Sequence, residues 1–422
     1  MNWIFRVFRI KELRTSILIV LGMLVVFRLA AHIPVPGVDA SSISQFLASN
    51  QILGLLNVFS GGTLESFSIV ALGVGPYITS SIIFQLLGMI VPRMEELQKE
   101  EQGRRKITQW SRIATVPLAL LQAYGLIILF SQQGGGLGLD LRGFETLLAV
   151  ITMTAGTIFL MWLGELISER NIGNGISILI FAGIIAGLPT FFQQTFATFD
   201  RSQLFDILLF IILFVVTILA VVLINEGQRN IPVQYARMQQ GARSLGGVSS
   251  HIPLRVNMGG MIPIIFAISL VLFPPTMAQF FLQAKSAWIA GAAQWVIQIF
   301  QNQLFYAIIY FLLVFGFTFF YAGVVFRPEQ IAENIQKQGG FIPGIRPGRA
   351  TAEYLQWVTN RILFVGGFYL ATIAILPNIA QYLTGSQQLI VGGSSVIIVV
   401  SVVIDLIKQV EAQIAMHEYE YR

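Results

Sequence analysis

The sequence predicts an all-α polytopic membrane protein of ten transmembrane helices, divided into two inverted halves of five. Three observations carry that prediction. Of 422 residues, 55% are hydrophobic and only 11% charged, against roughly 25% charged in soluble domains. The apolar residues gather in ten runs of about 15 to 25, matching the ~20 residues a helix needs to cross a hydrocarbon core. The basic residues lie between those runs, with a strong bias to one side.

The chain opens on residues 1–14, where bulky apolar groups alternate with Arg6, Arg9, Lys11 and Arg14. That pattern reads as an amphipathic helix on a membrane surface. The first run, 16–33, holds Arg28 late in its length, and no A-x-A pattern follows it. It is expected to be a retained span rather than a cleaved signal peptide. The remaining runs are 67–91, 113–130, 144–166, 175–192, 207–224, 261–281, 304–326, 362–376 and 389–407. With the N-terminus cytoplasmic, that side receives 22 of the 26 basic residues; Arg142, Arg201 and Lys285 face the other side and Arg28 lies within a span. Both termini are therefore expected in the cytoplasm.

The stretch 57–91 organises the rest. A Gly- and Ser-rich segment, Asn57 to Thr63, leads into an apolar run interrupted at Gly73-Val74-Gly75-Pro76. Glycine and proline break helices, and backbone freed at membrane depth survives only against protein or a water-filled cavity. Two readings stand: a broken or re-entrant helix lining a path, or a kinked span in an ordinary bundle. Five runs per half invert the halves, 1–192 against 193–422. The second run of the second half is also interrupted, by Pro263 and Pro274-Pro275. Matched interruptions in inverted halves point to a transport path.

Three long polar connections are predicted on the cytoplasmic side. Residues 92–112 read as a solvated, orientation-setting loop. Residues 226–260 and 327–361 exceed what topology requires and carry apolar residues such as Ile231, Val233, Phe341 and Tyr354, so they are expected to form docking surfaces.

The chemistry-bearing residues exclude several classes. There is no cysteine, so disulfides, thiolate catalysis and Cys-based metal sites are out. No phosphate-binding loop, H-E-x-x-H or G-x-S-x-G motif occurs. The spans lack the mid-membrane carboxylates of ion-coupled transporters; Glu145, Glu165 and Asp405 lie near span ends, and His32 reads as interfacial. The expectation is a non-enzymatic protein without cofactor or metal. Val74 and Ile78, and again Ile176 and Ile180, lie four residues apart. Such pairs suit an apolar constriction or plain helix packing.

Several strings in order carry a resemblance to a known family. They are Phe27-Arg28 with Ile33-Pro34-Val35-Pro36-Gly37-Val38-Asp39, Phe59-Ser60-Gly61-Gly62, Gly103-Arg104-Arg105-Lys106-Ile107, Gly173-Asn174-Gly175-Ile176-Ser177 and Pro343-Gly344-Ile345-Arg346-Pro347-Gly348. Over roughly 16–416 the chain resembles the SecY family, the channel-forming subunits of the bacterial protein translocon. The resemblance implies a central hourglass pore between the halves, conducting unfolded secretory chains and opening sideways to lipid between spans two and seven. Carried over by position, the pore ring is Val74, Ile78, Ile176, Ile180, Ile265 and Ile398. The plug comprises Asn57, Phe59, Ser60, Gly61, Gly62 and Phe67, and the polar gate residues are Gln85, Gln122 and Asn257. Arg104, Arg105, Arg243, Arg346 and Arg349 are implied docking residues for the SecA motor ATPase and the ribosome with its RNA. The family often has two adjacent basic residues at the loop tip that here reads Ala242-Arg243. Further implied partners are the SecE and SecG subunits, signal sequences, nascent polypeptides and membrane lipids, in a bacterial inner membrane. A solute transporter on inverted repeats and an assembly scaffold without a conduit are the competing classes.

Overall fold

Helix α1 (Lys11–Ala31) ends where the chain turns at His32, and Pro34 then forms an isolated antiparallel bridge with Ser68. Proline cannot continue a helix, so its neighbours bond elsewhere: Val35 N donates to Phe67 O at 2.9 Å, and Ile69 N to Ile33 O at 2.9 Å. The computed structural model describes residues 10–36, 57, 60–133, 143–197, 204–235, 239–240, 243–244, 249–282, 286–384 and 388–420. Of the surface helix predicted over residues 1–14, residues 1–9 lie outside them, as does Phe59, and residues 11–14 form the first turn of α1 rather than a separate helix.

After the bridge come α2 (Gly75–Ile90), α3 (Pro92–Lys99), α4 (Glu101–Gln133), α5 (Phe144–Ser168), α6 (Gly175–Ala197) and α7 (Leu204–Glu226). Then follow strands β1 (Gln228–Tyr235), β2 (Gln239–Gln240), β3 (Arg243–Ser244) and β4 (Ser249–Arg255), and helices α8 (Ile262–Phe281), α9 (Ala287–Gln301), α10 (Gln303–Val325) and α11 (Pro328–Lys337). Strand β5 (Gly340–Phe341) and helices α12 (Arg349–Thr384) and α13 (Gln388–Glu420) complete the order. Among the described residues, six helices (α1, α4, α5, α8, α10 and α12) are long and apolar enough to cross a membrane, and the bent pair α2–α3 is a seventh candidate. Helices α6 and α7 carry shorter apolar segments. Leu29, Leu223 and Val365 are 64%, 68% and 67% exposed, as befits helix faces turned to lipid rather than water.

The run 67–91 is not one interrupted helix. Residues 67–74 form successive turns, and the helix begins at Gly75. The break lies where glycine and proline predict it, with Gly73 at φ +58° and Pro76 in the first helical turn. What periodicity did not show is that the preceding half, beside turn bonds of its own such as Ala71 N to Ser68 O, also bonds to Ile33 and Val35. The connection 92–112 also differs from a loop. It folds as α3, bent 108° from α2, and the first turns of α4.

The other two long connections pack on one another. In β1, Ile231 and Val233 are buried while their neighbours are exposed, the period-two pattern of a strand with one covered face. Strand β1 pairs antiparallel with β4 (Ile231 opposite Ile252) and with β5 (Gln234 opposite Phe341), in the order β4-β1-β5. Its covered face meets Leu254, Ile335, Ile342, Leu355 and Val358 in a core separate from the membrane bundle. The all-α bundle thus carries a small β-sheet outside the membrane.

Candidate pore and lateral gate

The segment 60–74 is held by its own polar groups and by four neighbouring helices. Ser60 Oγ donates to Asn57 O at 2.9 Å and Gly62 N to the same oxygen at 2.8 Å, while Glu65 N donates to Asn57 Oδ1 at 3.1 Å. Thr63 Oγ1, fully buried, lies within hydrogen-bond reach of Ser60 O (2.9 Å) and Val70 O (3.1 Å). From α1, Arg28 Nη1 donates to Gly61 O at 3.2 Å. Gly61 has φ +80°, and a Cβ built there would stand 2.7 Å from the Cα of Gly183 on α6. Only glycine meets both demands. From α4, Phe130 packs edge-on against Phe67 with centroids 5.4 Å apart, and both rings are fully buried. A Cβ on Gly156 of α5 would collide with Ile69 O, so glycine lets α5 lie against this backbone.

The six proposed ring residues come from four separate parts of the chain. Val74 and Ile78 sit at the start of α2, Ile176 and Ile180 in the first turns of α6, Ile265 in the first turn of α8, and Ile398 within α13. Five are buried and Ile176 is half-buried, all within one hydrophobic cluster. Gly175 lets α6 start against the Gly164 carbonyl of α5, which positions the α6 pair.

Beside this cluster lies a cavity of about 110 Å³ whose walls include Ser60, Val74, Ile78, Gln122, Ile180 and Thr276. It therefore touches the turn segment, α2, α4, α6 and α8 together. None of the described residues lining it is ionisable. Of the three polar residues assigned to the gate, only Gln122 reaches it. Gln85 donates to Ser81 Oγ on its own helix at 3.0 Å. Asn257 is buried before α8, donating to Asn225 Oδ1 at 2.6 Å and Gly260 O at 2.9 Å. Asn225 in turn donates to Ser401 Oγ at 3.3 Å, and its carbonyl accepts from Lys408 Nζ at 2.8 Å. Asn257 thus ties the entry of α8 to α7 and α13. Sequence reasoning missed Asn225 and Thr276, whose only signals were a lone Asn at the end of an apolar run and a Thr beside Pro274-Pro275.

The candidate docking residues lie at the polar starts of α4 and α12 and in the strand and turn segments between helices. Arg104 and Arg105 are in the first turns of α4, and Arg105 pairs with Glu101 at 2.9 Å on an exposed face. Arg243 opens β3, opposite Gln240. Arg346 sits in the turn before α12, where its carbonyl accepts from Thr351 Oγ1 at 2.9 Å. Arg349 begins α12 and pairs with Glu353 at 3.0 Å. On nearby α11, the hydrogen bond from Lys337 holds the exposed Glu333 carboxylate below its usual range.

A bundle of long apolar helices with an aliphatic cluster beside a small internal cavity is the class of a polytopic membrane protein. The family model for SecY matches residues 68–407. The "Protein translocase subunit SecY" of Streptomyces scabiei is 44% identical over 436 aligned positions, covering 98% of each chain. The chain belongs to the SecY family. The fold is likewise that of solved channels. One, described as "The structure of a protein conducting channel", has a TM-score of 0.64 at 20% identity, covering 93% of this chain and 90% of the other. Sec61 of the canine ribosome-channel complex from the endoplasmic reticulum gives 0.61 at 19% identity, covering 93% and 90%.

Proposed function

We propose that this chain is the conduit through which unfolded secretory polypeptides cross a bacterial inner membrane and from which membrane-protein segments pass sideways into lipid. The observation that carries the reading is the convergence of Val74, Ile78, Ile176, Ile180, Ile265 and Ile398 in one cluster beside a cavity that α2, α4 and α8 share. Aliphatic side chains offer a passing polypeptide no fixed hydrogen bonds, so the constriction tolerates any sequence. The segment 57–67 acts as the plug. Its many short-range bonds let it move as a unit, without unfolding of the bundle. The seam between α2 and α8, with Gln122 of α4 on the cavity wall, is the lateral gate, and an apolar signal sequence partitions through it to lipid.

The chain itself is no enzyme. Driving force comes from the SecA motor or a translating ribosome docked on the basic extramembrane elements, where Arg243, Arg346 and Arg349 suit phosphate-rich or acidic surfaces. SecE and SecG complete the assembly, and both termini lie in the cytoplasm. Among the described residues nothing ionisable lines the cavity, which disfavours an ion-coupled solute transporter.

A photoreactive amino acid at Ile180, in channel reconstituted with its partner subunits and SecA, tests the conduit. A stalled secretory chain is expected to crosslink there only with ATP and SecA. Absence of that crosslink, alongside normal labelling at a lipid-facing control such as Leu223, would reduce the aliphatic cluster to packing.

A further inference from the structure

Helix α9 (Ala287–Gln301) is absorbed by neither the pore nor the extramembrane sheet. It lies between α8 and α10, which are both long and apolar enough to cross a membrane. At 15 residues it spans roughly 22 Å, short of the ~30 Å hydrocarbon core. The chain therefore leaves and re-enters the bilayer on the same face, and α9 stays at that face. From Ser286 to Phe326 the sequence contains no Asp, Glu, Lys or Arg.

At 3.6 residues per turn α9 divides into three sectors. Ala293, Ile297 and Phe300 turn inward: Ala293 is buried, and Phe300 packs on the membrane core and edge-on against Phe305 of α10. Gln294, Gln298 and Gln301, spaced four and three apart, are all exposed. Trp288 and Trp295, seven apart on the third sector, are 81% and 64% exposed. Two large indoles so exposed lack a covering surface among the described residues. Tryptophan favours the boundary between headgroups and acyl chains, where the ring is dry and its N–H stays wet.

We infer that α9 is an interfacial anchor, with Trp288 and Trp295 inserted among the lipids of the outer leaflet, the glutamine sector facing water, and the outer end of gate helix α8 thereby tethered to the bilayer surface. The occupant of the tryptophan face is lipid because the helix joins two bilayer-length apolar helices, and the stretch from Ser286 to Phe326 lacks the charge that a soluble partner would find at its rim. This rests on α8 and α10 crossing the membrane.

Single-tryptophan channels test it. The full chain with its partner subunits is reconstituted in phosphatidylethanolamine–phosphatidylglycerol vesicles, with all tryptophans but Trp288 or Trp295 changed to phenylalanine. A Leu312→Trp channel without other tryptophans serves as the mid-span control on α10. The expected result is blue-shifted emission from both native positions, strong quenching by lipids brominated near the headgroup, weaker quenching by lipids brominated at the chain end, and little by acrylamide. Strong acrylamide quenching without bromolipid quenching would overturn the anchor and leave α9 in water. Protection from both quenchers would overturn it in favour of a protein cover. If Leu312→Trp is also unquenched by every bromolipid, the membrane reading of the flanking helix falls with it.

Discussion

The guanidinium of Arg28, late in α1, holds the carbonyl oxygen of Gly61 at 3.2 Å. One side chain thereby joins the first span to the segment proposed as plug. A charged hydrogen bond contributes roughly 1.5–3 kcal/mol, enough to shift a plug equilibrium about tenfold or more. Arg28→Gln is expected to raise ion leak through resting channels in planar bilayers by about that factor, with helix content unchanged. A leak equal to wild type would show that Arg28 serves only to complete the span.

The Gly61–Gly183 contact makes a second, independent prediction. A side chain at either position must displace the opposing backbone. Gly183→Val should push segment 60–62 off α6 and raise resting leak, whereas Gly187→Val one turn on, where a Cβ meets nothing within 4 Å, should not. Equal leak from both variants would argue that bulk on α6, not this contact, matters.

Arg112 on α4 and Glu165 on α5 form an ion pair at 2.5 Å, with side chains 43% and 23% exposed. Partial exposure screens it, so its net contribution is about 1 kcal/mol or less. Glu165→Ala should lower the unfolding temperature in detergent by a few degrees. The exchange Arg112→Glu with Glu165→Arg should recover most of that loss. If the exchange is no better than the single change, the two groups act independently.

The extramembrane sheet should fail separately from the pore. Val233 is 1% exposed and sits in a core distinct from the bundle. A buried unpaired charge costs several kcal/mol, so Val233→Asp should open the β4-β1-β5 sheet to limited proteolysis. Motor-driven transport should fall by an order of magnitude or more, while resting ion leak stays at the wild-type level. A leaky Val233→Asp channel would mean that the sheet also braces the constriction.

Much of this protein was determined by sequence alone. Hydropathy and length select spanning helices because lipid admits little else, and the motifs around Gly61, Gly173 and Arg346 carried the family. The break at Gly73–Pro76 was legible because glycine and proline act locally. Tertiary structure decided where the freed backbone goes. Ile69 and Val35 bond across to one another's segments, and such long-range pairing leaves no period in the chain. It also decided that Ile231 and Val233 share a core with Leu355, far away in sequence. Only three dimensions separate Gln122, on the cavity wall, from Asn257, bonded to Asn225. Both are single polar residues in or beside apolar stretches, and only packing determines which neighbour a lone amide meets.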